Sequence, residues 1–76
     1  MTLLQAPQGE PVLVIRVAAE TKIRKHLENL GITSGAEFTK LSASDGNMIV
    51  RVHGSRIALN RDIAETIVVR KAPIFA

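Results

Sequence analysis

His26 and His53 are the two histidines of the chain, and Glu28 and Glu37 are the carboxylates that could join them in holding a metal ion. Protein sites for Fe²⁺ or Zn²⁺ draw on three or more ligands, often with two of them one helical turn apart. Neither histidine has another histidine or a carboxylate four residues away. Both therefore read as surface histidines. The metal-binding alternative is a weak Fe²⁺ or Zn²⁺ site shared with Glu28, Glu37 or a second chain. Nucleophilic chemistry is no better supplied. Cysteine is absent, and Ser34, Ser42, Ser44 and Ser55 fall in or beside turns, where a hydroxyl ordinarily serves the backbone. The glycines lack the spaced run ending in Lys-Ser/Thr that cradles a phosphate. No catalytic residue and no cofactor is assigned, and the chain is expected not to be an enzyme.

Binding chemistry has more to draw on. Ten Lys and Arg against seven Asp and Glu give a net charge of +3. Lys22, Arg24 and Lys25 form one basic cluster, and the other basic residues are interspersed with acids. Charges in this pattern are usually a solvated face; the sharper alternative is attraction to an anionic partner, such as RNA or the inner face of a membrane. Single-stranded nucleic acid is usually held on stacking aromatics. The two aromatics here are Phe38, expected in the core, and Phe75, in the C-terminal tail, so nucleic acid is not the expected partner. Protein–protein contact remains. The candidate partner-binding residues are Arg24, Lys25 and Glu28 on the outward side of a helix, and Ile49 and Val68 as apolar residues facing away from the core. Val12 and Val14 are counted with them as outward, and the tail "PIFA" adds further apolar surface.

The elements that would position these residues follow from periodicity and turn chemistry. Thr2 is a good cap for one helical turn carrying Leu3 and Leu4. "VLVIRV" is a strand by its β-branched content, with Leu13, Ile15 and Val17 on one side and Val12, Val14 and Arg16 on the other. From about Glu20 to Leu30, Ile23, Leu27 and Leu30 recur at i, i+4 and i+7 as one apolar stripe, which predicts a helix. Glu20 is placed in its first turn. Gly31 ends the helix with positive φ, and Ile32 folds back on the last turn. Gly35 makes the tight turn that launches the next strand, Ala36 to Leu41. Phe38 and Leu41 cannot share a face of a regular strand, which predicts a bulge or an early strand end. "SDGN" predicts a hairpin turn. Met48, Val50 and Val52 point inward and Ile49, Arg51 and His53 outward. Gly54 turns the chain again, and Ile57, Leu59, Ile67 and Val69 point inward. "RDIAE" has room for one helical turn.

Short strands at this spacing curl into a small, partly open β-barrel of about five strands, with the helix between the first and second closing one end. The 76 residues, 46% hydrophobic and 22% charged, are expected to form one domain over 1–76, with 71–76 as a tail. A small fold without disulfides suits the reducing cytoplasm. The N-terminus lacks the basic start and apolar run of a signal peptide, and the longest uninterrupted apolar run, Val12 to Ile15, is far too short to span a bilayer.

With these residues in place, the chain resembles FeoA-type domains from about Leu3 to Val69. The resemblance is carried by "TLLQAPQGEPVLVIRV", "RKHLENLGITSGAEF" and "VRVHGSRIALNRDIAETIVV". The middle stretch is the most specific: a helix bearing Arg24, Leu27 and Leu30 runs into Gly31, Ile32, Gly35 and Phe38. Gly54, Ala58, Leu59, Ala64, Ile67 and Val69 match the later part of the pattern. In one departure, many members carry Arg directly after the Ala-Leu pair, whereas this chain has Asn60 and then Arg61.

The resemblance implies a mainly β, SH3-like small barrel with one α-helix. It implies a non-catalytic, cytoplasmic accessory module of bacterial ferrous iron uptake, peripheral at the inner membrane, whose partner is the cytoplasmic GTP-binding region of a FeoB-type transporter. Self-association is left open. The alternatives are a metal-sensing or regulatory module akin to the C-terminal domains of metal-dependent repressors, and a small RNA-binding barrel.

Overall fold

Two hairpins and a central strand organise the sheet in the computed structural model, which describes residues 1–72. The strands are β1 (Pro11–Val17), β2 (Glu37–Ser44), β3 (Asn47–Val52), β4 (Ser55–Leu59) and β5 (Ile67–Lys71), with α1 (Thr21–Asn29) between β1 and β2 and α2 (Arg61–Thr66) between β4 and β5. All pairings are antiparallel and the order across the sheet is β4-β3-β2-β1-β5. The fold is mainly β, a small SH3-like open sheet that curls around its core.

The hairpin turns are Asp45–Gly46 and His53–Gly54. Both residues of each have positive φ, at +51° and +82° in the first and +51° and +80° in the second. That pair of conformations matches the right-handed twist of the flanking strands and so closes two-residue hairpins. β2 has the bulge that Phe38 and Leu41 predict: its register against β3 shifts between Lys40 and Ser42, and the strand then continues to Ser44. Phe38 is thereby kept in the core.

β1 corrects one expectation. Val12 and Val14 are core residues, 0% and 1% exposed, and not outward ones. The run is apolar at every position from Val12 to Ile15, so alternation could not choose its inner side. A bulge at Ile15, seen as a register shift against β5 between Val14 and Arg16, then turns Ile15 and Arg16 outward and returns Val17 to the core. Ile15 is 48% exposed in consequence.

α1 starts one residue later than its periodicity suggests. Glu20 is the N-cap residue, in extended conformation, and lies outside the first turn. Leu27 is fully buried, while Ile23 and Leu30 are half-buried against the core. α2 is longer than a single turn, six residues, and makes a second helix. A 3-10 turn at Leu3–Gln5 precedes β1 and packs against α2. Ahead of it, Thr2 bridges to Val68, and the Val69 N–H donates to the Met1 carbonyl at 2.8 Å. The outer side of β5 is thus covered. Of the tail expected over 71–76, Lys71 belongs to β5 and Ala72 is buried, and "PIFA", 73–76, lies outside the described residues.

Candidate partner-binding surface

Arg24, Lys25 and Glu28 are all exposed on the outward side of α1. The structure separates them. Arg24 and Glu28 line a slot of about 120 Å³ together with Arg16, Val17, Ile32, Thr33 and Ser34, whereas Lys25 does not line it. Ile49, 39% exposed, lies elsewhere, on a groove of about 510 Å³ that includes Met48, Ala58, Leu59 and Ile63. Val68 is half-buried opposite Arg16 in the β1–β5 register and is bridged by Thr2. Of the five sequence-based candidates, Arg24 and Glu28 share a site, Val68 stands beside one of its walls, and Ile49 belongs to a different surface.

The slot is built from three separate stretches, each fixed by backbone geometry. The β1 bulge aims Arg16 outward. α1 presents Arg24 and Glu28 one turn apart. The third wall comes from the way α1 ends. The Ile32 N–H donates to the Leu27 carbonyl at 2.8 Å and the Gly31 N–H to the Glu28 carbonyl at 3.0 Å, the double bond pattern of a Schellman motif. Gly31 has φ of +92°, which a residue with a Cβ adopts only under strain. Its missing side chain matters as well, because a Cβ there would stand 2.8 Å from Cδ2 of His53 and 3.2 Å from Cγ1 of Val52. Ile32, folded back, is fully buried beside Leu27. The chain then turns at Gly35, φ +88°, with the Ala36 N–H donating to Thr33 at 2.9 Å. Two further bonds of 2.8 Å, Gly35 N–H to Val14 and Val14 N–H to Ala36, tie this turn to β1. Thr33 and Ser34 are therefore held firmly next to Arg16.

Ion pairs elsewhere on the surface are Arg61–Glu65 at 3.3 Å and Lys71–Glu10 at 4.0 Å. Among the described residues, neither Arg16 nor Arg24 has a carboxylate within 4.0 Å. Arg24 and Glu28 have the i, i+4 spacing of a helix ion pair, but with the cation first, which is the weaker orientation. No three of His, Cys, Asp and Glu stand together as a metal-holding group among the described residues.

Two further residues carry structural roles. Lys40, one of the scattered basic residues, is 5% exposed. Its ammonium donates to the carbonyls of Leu3, Leu4 and Ala6 at 3.4, 3.1 and 3.0 Å, which holds the 3-10 turn against the sheet. Asn60, the departure from the family pattern, caps α2: its side-chain oxygen accepts from the Ile63 N–H at 2.9 Å. Arg16 was visible only as a strand residue sharing a side with Val12 and Val14. Its outward aim depends on the bulge, and the alternation gives no sign of one.

Known proteins place this arrangement. A protein of Methanocaldococcus jannaschii named as an Fe(2+) transport protein A is 31% identical over 67 residues, 88% of this chain and 82% of its own. The solution structure of the FeoA protein from Chlorobium tepidum superposes with a TM-score of 0.88 at 29% identity, over 96% of this chain and 71% of that one. Part of the manganese-activated repressor ScaR has the same fold, with a TM-score of 0.85 at 27% identity over 95% of this chain, which corresponds to 35% of the repressor. Residues 1–71 match the FeoA domain, and the chain belongs to that family.

Proposed function

We propose that the protein is an accessory module of ferrous iron uptake, working in the cytoplasm and docking on the cytoplasmic GTP-binding region of a FeoB-type transporter. The observation that carries this is the family match over residues 1–71, together with a relative named as an Fe(2+) transport protein. The surface supports a docking role. The outward side of α1 exposes Arg24, Lys25 and Glu28 while Leu27 anchors the helix from behind, so the charges can be spent on a partner without disturbing the core. Among the described residues no helix is long and apolar enough to cross a membrane, and a place at the membrane would come through the transporter. The test is ferrous iron uptake in cells lacking the gene, with and without the gene restored. Reduced uptake that the gene restores is the expected result; normal uptake in the deletion strain removes the proposal.

A second role, in metal-dependent regulation, is favoured by the likeness to part of ScaR. Titration of the purified protein with Fe²⁺ and Mn²⁺ separates the two. Tight, stoichiometric metal binding would favour the regulatory role.

A further inference from the structure

We propose that the slot between β1 and α1 is a socket for a single carboxylate side chain of the protein partner, clamped between Arg16 and Arg24. This rests on the docking role proposed above and adds the groups that make the contact. The charged residues that line the slot are Arg16, Arg24 and Glu28, a net single positive charge, so one incoming carboxylate brings it to neutrality. Each guanidinium offers five N–H donors and no acceptor. Among the described residues, neither donates a hydrogen bond to a protein group or stands within 4.0 Å of a carboxylate. The fork geometry of arginine is matched to a planar, two-oxygen acceptor.

The rest of the slot suits the same occupant. Thr33 and Ser34 add two hydroxyl donors on the third wall. Ile32, fully buried, and half-buried Val17 make an apolar floor, which lowers the local dielectric and strengthens a charge pair formed above it. The volume, about 120 Å³, is well below the roughly 300–1,000 Å³ of sites for drug-sized ligands and cofactors. A whole nucleotide does not fit, and one acidic side chain does. Both arginines come from elements whose backbone is pinned by hydrogen bonds, so binding orders their side chains but not the backbone that carries them.

Two measurements on the intact chain test the socket. The first is a ¹⁵N NMR titration with N-acetylglutamate α-amide, which bears one side-chain carboxylate, and in parallel with inorganic phosphate. Saturable shifts are expected at the Nε–H signals of Arg16 and Arg24 and at the amides of Thr33 and Ser34. Arg16→Gln and Arg24→Gln should each abolish them. Lys22→Gln, an equal charge change on the same helix but outside the slot, should leave them intact. Shifts spread evenly over all exposed arginines, or tighter saturation by phosphate than by the carboxylate, overturn the socket.

The second is binding to the purified GTP-binding region of the transporter. Arg16→Gln and Arg24→Gln should each weaken it about tenfold or more, with the double variant little worse than either, because both act on one carboxylate. If wild type is not captured while the titration is positive, the docking role falls and the socket belongs to another acidic protein. If wild type is captured and both variants behave like Lys22→Gln, the docking role stands and the socket falls.

Discussion

Lys40 and the Arg16–Arg24 slot hold positive charge in opposite ways. The Lys40 ammonium is sealed in the interior, with three carbonyls of its own chain as acceptors. The slot guanidiniums stand in water and find no such acceptors among the described residues. In the first region the donors are used up by folding; in the second they are left over. A buried cation without a counter-charge survives because the carbonyls of Leu4 and Ala6, at the end of the 3-10 turn, accept its hydrogen bonds, and the Leu3 carbonyl shares it with the Ala6 N–H. A pair of free arginines over an apolar floor makes no comparable contribution to stability. The contrast separates a charge retained for structure from charges available for recognition, and mutation can test it from either side.

The largest effect should come from Lys40→Met, which keeps the apolar stem and removes the donors. The buried Ala6 carbonyl and the part-buried Leu4 carbonyl would then lose the ammonium donor, while the Leu3 carbonyl keeps the Ala6 N–H, for a cost of about 3 kcal/mol. Denaturant unfolding measures it. A loss under about 1 kcal/mol would mean that water replaces the ammonium and that the interior charge is dispensable.

Next comes the turn that shapes the slot. Gly31→Ala must adopt positive φ and push its Cβ into the His53 ring, for a loss of about 2 kcal/mol. His53 is itself at φ +51°, a conformation glycine accepts freely. His53→Gly should therefore cost little alone and recover part of the Gly31→Ala loss when the two are combined. Strict additivity in that double-mutant cycle would show that φ strain, without the ring contact, accounts for the whole effect.

Asn60→Ala probes the other region, since α2 packs against the 3-10 turn that Lys40 holds. Loss of the cap should cost about 1 kcal/mol, or roughly 4–8 °C in Tm. An unchanged Tm would place the anchoring of that turn on Lys40 alone.

The smallest expected effects on stability are those of Arg16→Gln and Arg24→Gln, within about 0.5 kcal/mol of wild type. Circular dichroism melts check this. A loss above 1 kcal/mol for either would put the slot in the same class as Lys40 and undo the contrast.

How far the sequence reveals each region follows from the same physics. The hairpins, the helix stripe and the Gly31 stop are legible because each is encoded within a few neighbouring residues. The bulge in β2 is legible because Phe38 and Leu41 compete for one face. β1 offers no such conflict. Its continuous apolar run leaves both sides open: regular alternation ties Arg16 to the side of Val12 and Val14, and only the bulge lets the two valines turn inward while Arg16 faces outward. Lys40 carried a faint signal that was passed over: it lies two residues after Phe38 on a strand and so shares its inward side. The slot is not legible in the sequence, since its walls come from residues 16–17, from Arg24 and Glu28, and from 32–34, which meet only through packing.

The pairing of β1 with β5 has a consequence for the order of folding. The β2–β3–β4 meander joins near neighbours through two-residue turns, and hairpins of that kind form within microseconds. β1 can pair with β2 sooner, but its other edge waits for β5, Val12 opposite Lys71, a partner separated from it by every other strand, and that long loop must close before the contact repays it. Pulse-labelled hydrogen exchange should find the Val50 amide protected before that of Ala18, which donates to the Thr66 carbonyl at 2.7 Å where β1 meets β5, and simultaneous protection would show a single concerted step. On the ribosome the delay is longer still. The apolar run at Val12–Ile15 is made before β2, β3, β4 and α2, while the strand that covers its second edge follows all of them. For that interval the strand that carries Arg16 is bare on one side.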